Sequence, residues 1–244
     1  MLHEDQLVYG LVVAVDVEGF SRMGILDQVA VLFRLKEVLD RAAERAGLVR
    51  AEWLRQPRGD GELAVLPADS DVSRVVADFT HEVVEELRRG SRPRLRLRIS
   101  MHHGALTAGV FGPVGDALIV ACRLLDAESV RETLARHIGE DVVMVVSERL
   151  YEDVVATGFR GLRPDRFQPV ADRVKGRTFR GYVCVGSPKP AAPAAGQASS
   201  DWVVATSQAN PSGSVNGAAE LTAIRCAPEP SGATPACLAR ALRR

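Results

Sequence analysis

Cysteine is scarce in this chain of 244 residues, which contains only Cys122, Cys184, Cys226 and Cys237. No two of them form a CxxC pair and none has a close histidine, so the pattern argues against both a zinc site and a disulfide framework. We therefore expect reduced thiols, as in cytosolic proteins.

Long apolar runs are also missing. No stretch approaches the roughly 20 consecutive apolar residues that a membrane-spanning helix requires. The first ten residues, MLHEDQLVYG, carry acids where a secretory signal would carry basic residues. We predict a cytoplasmic protein with no membrane partner.

The chain has no excess charge of either sign, since 31 Lys and Arg residues balance 31 Asp and Glu residues. Such a chain has no global field to attract nucleic acid or an anionic surface. Aromatic residues make up only 5% of the chain, and the two tryptophans, Trp53 and Trp202, show no stacking platform for bases. We therefore expect no nucleic acid partner.

The apolar patterns that are present indicate alternating strands and helices. Residues 7–17, LVYGLVVAVDV, are typical of a buried central strand, whose polar end is Asp16. Apolar spacing predicts one long helix that ends near Gly47 and another, with an apolar stripe from Val72 to Leu87, that stops at Gly90. Further strands are predicted around Val49 to Leu54, at ELAVLP, at RLRLRISMHHG, at DVVMVVS and at KGRTFRGYVCVG. The order β-α-β-β-α-β, with an appended α-β-β segment, predicts an α+β, ferredoxin-like sheet with helices on one face.

The composition changes at Ser187. In residues 187–200, SPKPAAPAAGQASS, eleven of fourteen residues are Ala, Pro or Ser, a composition that cannot form a packed core. We predict a folded domain over residues 1–186, followed over residues 187–244 by a linker and a disordered or docking tail.

Asp60 lies between two glycines immediately before an apolar run, in RGDGELAVL. Asp-Gly is a common hairpin-turn pair, because glycine adopts positive φ at no steric cost. On the residues alone, Asp60 is either a turn residue or a ligand, and so short a motif favours the turn.

Four stretches, in this order along the chain, resemble the catalytic domains of class III nucleotidyl cyclases. They are VAVDVEGFSRM, GDGELAVL, LRLRISMHHGALTAGV with GDALIVACRLLDA, and VKGRTFRGYVCV. The similarity covers roughly residues 8–186. It implies a ferredoxin-like core that converts a nucleoside triphosphate to a cyclic nucleotide and pyrophosphate.

The resemblance implies a site for two ions of Mg²⁺ or Mn²⁺, held by Asp16 and Asp60. Such ions prefer oxygen ligands and are typically held by one or two carboxylates together with substrate phosphates. The turn that follows Asp16, with Val17, Gly19 and Phe20, is expected to bind phosphate through its backbone N–H groups.

In the family two subunits pair head to tail, and the metals of one subunit face the arginine and base-reading residues of the other. Arg123 falls at the position of the transition-state arginine, and Lys175 at that of the triphosphate lysine, with Arg177 as an alternative. Gln56 stands at a base-reading position. The resemblance therefore implies a homodimer that binds a nucleoside triphosphate.

Three departures from the family pattern bear on activity. Ile119 stands where the family has an asparagine that orients the ribose. Gln56 replaces the lysine of adenylate cyclases or the glutamate of guanylate cyclases, and a neutral amide does not identify the base because it both donates and accepts. The loop over residues 109–115 is shorter than usual.

Three interpretations stay open. The first is a divergent nucleotidyl cyclase in intracellular signalling. The second is a catalytically inactive module that binds nucleotide or a protein partner, the latter through the tail. The third, an unrelated ferredoxin-like regulatory or RNA-binding domain, lacks the aromatic strand motif and the basic face that would support it.

Overall fold

The structure is a computed structural model and describes residues 6–90, 93–174 and 176–189. The strands are β1 (Val8–Val17), β2 (Leu54–Arg58), β3 (Gly61–Val65), β4 (Leu97–Leu106), β5 (Val142–Ser147), β6 (Gln168–Val174) and β7 (Arg177–Val185). The helices are α1 (Ile25–Arg45), α2 (Val72–Arg74), α3 (Thr80–Arg89), α4 (Asp116–Leu125), α5 (Glu128–Arg136) and α6 (Glu148–Asp153). A π-helical turn, Val75–Phe79, joins α2 to α3. Among the described helices, none combines the length and the hydrophobicity that crossing a bilayer requires.

One sheet contains all seven strands, in the order β2-β3-β1-β4-β5-β7-β6. Strand β1 is antiparallel to both of its neighbours, β3 and β4, and β2 forms a hairpin with β3. With their helices, β1 to β4 make the predicted βαββαβ unit. The appended segment adds β5 parallel to β4, then β7 and β6 antiparallel. The predicted α+β, ferredoxin-like fold is therefore confirmed.

Helices cover both faces of this sheet. Leu11, Val13 and Val15 of β1 pack in the same cluster as α1 and α3, whereas Val12 and Ala14 pack with α4. The βαββαβ unit keeps its own helices on one face, as predicted. The prediction that all helices lie there is wrong, because β1 is apolar on both faces and needs cover on both.

The segment before β2 differs from its prediction as a strand. Residues Arg50–Glu52 form a 3₁₀ turn, and β2 begins only at Leu54. The backbone N–H groups of Glu52 and Trp53 donate to the carbonyls of Val49 and Arg50 within this turn, so they take no part in a strand ladder. The turn also places Arg50, which is 7% exposed, between the carboxylates of Asp40 and Glu62.

The chain beyond β7 remains attached to the domain as far as Lys189. Ser187 is 5% exposed, and its Oγ lies 2.8 Å from Nδ1 of His81. Lys189 donates from Nζ to Oδ1 of Asp78 at 2.8 Å. Residues 187–189, which the composition assigned to a linker, therefore pack on the domain. The rest of the predicted linker and tail, residues 190–244, lies outside the described residues.

Candidate functional site

Asp16 is the penultimate residue of β1 and is only 6% exposed. By the alternation of the strand its side chain shares a face with Val12 and Ala14, the face that α4 covers. Arg98 lies opposite on β4. It donates from Nε to Oδ1 and from Nη2 to Oδ2, both at 2.8 Å. This two-pronged contact holds the carboxylate in one orientation.

Burial raises the pKa of Asp16 from 3.8 to about 6, because the cost of desolvation outweighs the attraction of Arg98. The carboxylates of Asp60 and Asp126 raise the pKa of Asp16 further. The charge of Asp16 is therefore costly mainly because it is buried, and to a smaller extent because two other carboxylates lie near it. A bound cation would stabilise that charge.

The β2–β3 hairpin carries Asp60 to this position. Gly61 pairs with Asp16 in the sheet, and the backbone carbonyl of Asp60 accepts the N–H of Val17 at 3.0 Å. A Cβ on Gly61 would lie 1.9 Å from the carbonyl oxygen of Val15. Only glycine therefore allows the hairpin to approach β1 this closely.

Asp16 and Asp60 supply the kind of oxygen that Mg²⁺ and Mn²⁺ prefer. Within the parts of the chain that the structure describes, no group of three or more His, Cys, Asp or Glu side chains is arranged to hold a metal ion. The donor chemistry of the two aspartates suits a metal that takes its remaining ligands from water and phosphate. Such a metal would compete with Arg98 for Asp16.

The turn after β1 presents backbone donors. The N–H groups of Val17 and Glu18 already donate, to Asp60 and to the carbonyl of Arg96. Val17 therefore has no donor to offer phosphate in this conformation, and its side chain lies in the core. The N–H groups of Gly19 and Phe20 donate no hydrogen bond to any described residue.

A groove of about 990 Å³ begins at this turn. Gly19, Arg98 and Asp126 line it, and it continues between α5 and β6 as far as Val174. Lys175, the predicted triphosphate lysine, lies outside the described residues.

Arg177, the alternative to Lys175, belongs to β7. Its guanidinium contacts both carboxylate oxygens of Asp116 at 2.6 Å, at the start of α4. Both side chains are more than half exposed. Arg177 is therefore held by an ion pair at the surface.

A second groove, of about 240 Å³, runs along α4. Arg123 lines it together with Arg58, Cys122 and Asp126. Arg123 makes no ion pair with the residues that the structure describes. Ile119, one helical turn earlier, is 50% exposed, so an apolar side chain projects into the same groove.

Gln56 contacts the shortened loop. Its Nε2 lies 3.4 Å from the carbonyl oxygen of Phe111, and a Cβ on Gly112 would fall 2.2 Å from that nitrogen. The structure therefore separates the predicted residues into two sets. Asp16 and Asp60 lie near the turn after β1. Gln56 instead contacts the loop over residues 109–115, and it lies on β2, the strand whose Arg58 lines the α4 groove.

Sequence reasoning gave no role to Arg98 or Asp126. Arg98 is the last charged residue before the apolar part of β4, and Asp126 follows the final residue of α4. Charged residues at the ends of strands and helices are ordinarily solvated, so neither position stands out in the sequence.

No protein-family profile matches the chain, and no curated protein matches its sequence. Solved structures do match. The guanylate cyclase domain of RhGC from Catenaria anguillulae, in complex with GTP, is 22% identical with a TM-score of 0.54, over 75% of this chain and 100% of that chain.

Two further structures agree with this match. The catalytic core of a rhodopsin-guanylyl cyclase with converted specificity, in complex with ATPalphaS, is 22% identical with a TM-score of 0.54, over 75% of this chain and 98% of that chain. The monomeric guanylyl cyclase domain of the RhoGC fusion protein from the aquatic fungus Blastocladiella emersonii is 20% identical with a TM-score of 0.52, over 74% and 98% of the two chains. Identities this low establish the fold alone. The chain therefore has the fold of the nucleotidyl cyclase catalytic domains, as the resemblance in its sequence predicted.

Proposed function

We propose that this protein is a divergent nucleotidyl cyclase that converts a nucleoside triphosphate to a 3′,5′-cyclic nucleotide and pyrophosphate for intracellular signalling. The observation that supports this most is the approach of Asp60 to the buried Asp16, on a sheet with the cyclase fold. Two of the similar proteins bind GTP and ATPalphaS. A triphosphate is therefore the substrate class to test.

In this proposal two divalent ions held by Asp16 and Asp60 would neutralise the triphosphate and lower the pKa of the 3′-hydroxyl. The N–H groups of Gly19 and Phe20 bind phosphate oxygens. Arg98 lines the same groove as Gly19. When the guanidinium of Arg98 is released from Asp16, it binds the triphosphate. The 3′-oxygen then attacks the α-phosphorus, and pyrophosphate leaves.

A head-to-tail homodimer would complete this site. Arg123 is unpaired among the described residues and lines a different groove from Gly19 and Arg98. In the proposal it stabilises the transition state in the partner subunit's site, with Lys175 or Arg177 on the triphosphate. One of the similar structures is monomeric, so dimerisation has to be measured by sedimentation with and without nucleotide and metal.

The alternative function is an inactive module that binds a nucleotide or a protein. Ile119 favours it, because an exposed isoleucine in the α4 groove offers ribose no hydrogen bond. Loss of one such contact costs on the order of 10² to 10³ in rate, by analogy with the removal of a transition-state donor.

The deciding experiment is incubation of the purified protein with each of the four NTPs and Mn²⁺ or Mg²⁺, with cyclic nucleotide and pyrophosphate as readouts. We expect product from the wild type, none from Asp60→Asn, and wild-type rates from Asp69→Asn, which alters an exposed turn aspartate. Ile119→Asn should raise the rate. Metal-dependent NTP binding without product would favour the inactive module, and neither binding nor product would refute both nucleotide-binding functions.

A further inference from the structure

An ionic network with the buried Arg50 at its centre lies beside the β2–β3 hairpin. Arg50 donates from Nη1 and Nη2 to the two carboxylate oxygens of Glu62, at 2.9 and 3.1 Å. It also donates from Nε to Oδ1 of Asp40 on α1, at 2.7 Å. The guanidinium carbon lies 5.3 Å from the centre of the Trp53 ring. The guanidinium is therefore held on three sides.

Stability alone does not account for these buried charges. Glu62 is only 17% exposed, and the next three residues of β3 are buried apolar residues, Leu63, Ala64 and Val65. The cost of removing charges from water largely cancels the attraction between them, and apolar side chains of similar volume often do as well or better. The two parallel hydrogen bonds between Arg50 and Glu62 fix the relative orientation of the two side chains, which apolar packing does less strictly.

The network acts close to Asp60. Glu62 is the second residue of β3, two positions after Asp60, and pairs with Val15 of β1. The hairpin tip itself is open, because a Cβ on Gly59 would have no heavy atom within 4 Å. The contact of Glu62 with Arg50 therefore anchors β3 close to the turn, where the space around Gly59 is open.

We propose that Arg50 is a positioning residue, whose contacts with Glu62 and Asp40 fix the β2–β3 hairpin against α1 and so keep Asp60 beside Asp16. The use of that spacing for a metal rests on the proposed function. The effect on the hairpin does not, and it has a direct reporter in the N–H of Val17, which donates to the carbonyl of Asp60.

The test compares Arg50→Met with the double variant Arg50→Met/Glu62→Met. The single variant leaves the partly buried carboxylate of Glu62 with only the more distant guanidinium of Arg55, at 3.9 Å, and should be destabilised. The double variant removes both charges and should recover most of the melting temperature. Asp40 is not stranded in either variant, because Lys36 contacts its Oδ2 at 2.6 Å. Arg45→Met, which removes an arginine of α1 paired with Glu86, is the matched control.

Two readouts separate positioning from stability. In the double variant we expect amide exchange at Val17 to be at least ten-fold faster. The amide of Leu66, which donates to Leu11 beyond the far end of β3, should keep its wild-type rate. Mn²⁺ binding in the presence of ATP or GTP, followed by electron paramagnetic resonance, should weaken at least ten-fold.

Each result has a defined meaning. A double variant with wild-type stability and a wild-type exchange rate at Val17 overturns the positioning role, whatever its affinity for Mn²⁺. Faster exchange at Val17 with unchanged Mn²⁺ affinity overturns the link to the metal. A wild type that binds no Mn²⁺ defeats the proposed function, and the exchange at Val17 still decides whether Arg50 holds the hairpin.

Discussion

Residues 187–189, which lie just beyond β7, should contribute measurably to stability. We compare the full chain with truncations after Lys189 and after Gly186. Truncation after Gly186 removes Ser187, a buried residue that contacts His81. It also removes the partly buried ion pair between Lys189 and Asp78, whose side chains are 26% and 21% exposed.

The magnitude follows from these contacts. The lost hydrogen bond of Ser187 is worth about 1 kcal/mol, and the ion pair of Lys189 contributes about 1 kcal/mol, the upper end of the range for exposed pairs. The carbonyl of Pro188 accepts the N–H of Arg163 at 3.2 Å, which adds about 1 kcal/mol. A total of about 3 kcal/mol lowers the melting temperature of a domain of this size by about 6 to 12 °C.

Thermal unfolding by circular dichroism measures this difference. Truncation after Lys189 should leave the melting temperature unchanged, because the composition of residues 190–244 is not that of a packed segment. Truncation after Gly186 creates a carboxylate near Glu140, since a Cβ on Gly186 would lie 2.7 Å from its Oε2. The point variants Ser187→Ala and Lys189→Ala avoid that charge and should each lower the melting temperature by a few degrees.

Two results would refute this reasoning. If the truncations after Gly186 and after Lys189 melt at the same temperature, the contacts of residues 187–189 add no net stability and the boundary predicted at Ser187 holds energetically. If truncation after Lys189 already lowers the melting temperature by several degrees, residues 190–244 take part in the fold, contrary to their composition.

Three further predictions concern single residues. Gly61→Ala should lower the free energy of unfolding by urea by several kcal/mol, because the added Cβ would lie 1.9 Å from a carbonyl oxygen. Gly59→Ala places its Cβ in open space and should be nearly neutral. Equal stability of the two variants would contradict the close approach of the hairpin to β1. Arg98→Met should cost about 3 to 5 kcal/mol at pH 8 without metal, against less than about 1 for Arg177→Met, whose ion pair is exposed. Burial lowers the pKa of His102 from 6.5 to about 4, so His102 alone lowers stability by about 3 kcal/mol as the pH drops from 6.5 to 4, while the raised pKa of Asp16 opposes this change over the same range. The stability difference between the wild type and His102→Gln should therefore change by about 3 kcal/mol across that range, and a difference that does not depend on pH would contradict the assignment.

Local sequence patterns predicted much of the fold. The first helix was predicted to end near Gly47 and ends at Arg45, and the second was predicted to stop at Gly90 and ends at Arg89. Periodicity did not show the π-helical turn Val75–Phe79 inside it, because one wider turn hardly alters the spacing of apolar residues. The strand predicted around Val49 to Leu54 was wrong, because residues Arg50–Glu52 form a 3₁₀ turn and β2 begins only at Leu54.

The candidate site was less readable. Asp16 and Asp60 came from the resemblance, since Asp60 in its own segment is an ordinary turn residue. Their proximity follows from the pairing of Gly61 with Asp16, which no local pattern predicts. Val17 illustrates the limit, because its position in the turn suggested a phosphate donor, while its N–H is already used by the hairpin.

The sequence by itself determined most of the segments that form strands and helices, though not β6, and that β1 is buried on both faces, because these properties depend on spacing along the chain. Only the tertiary structure decided which charges meet. Arg98 and Asp16 are 82 residues apart, Lys189 and Asp78 are 111 apart, and Arg50 reaches Glu62 across 12. Whether a charged side chain stays solvated at the surface or becomes buried depends on whether an opposite charge lies next to it. The folding of distant segments decides which charges become neighbours.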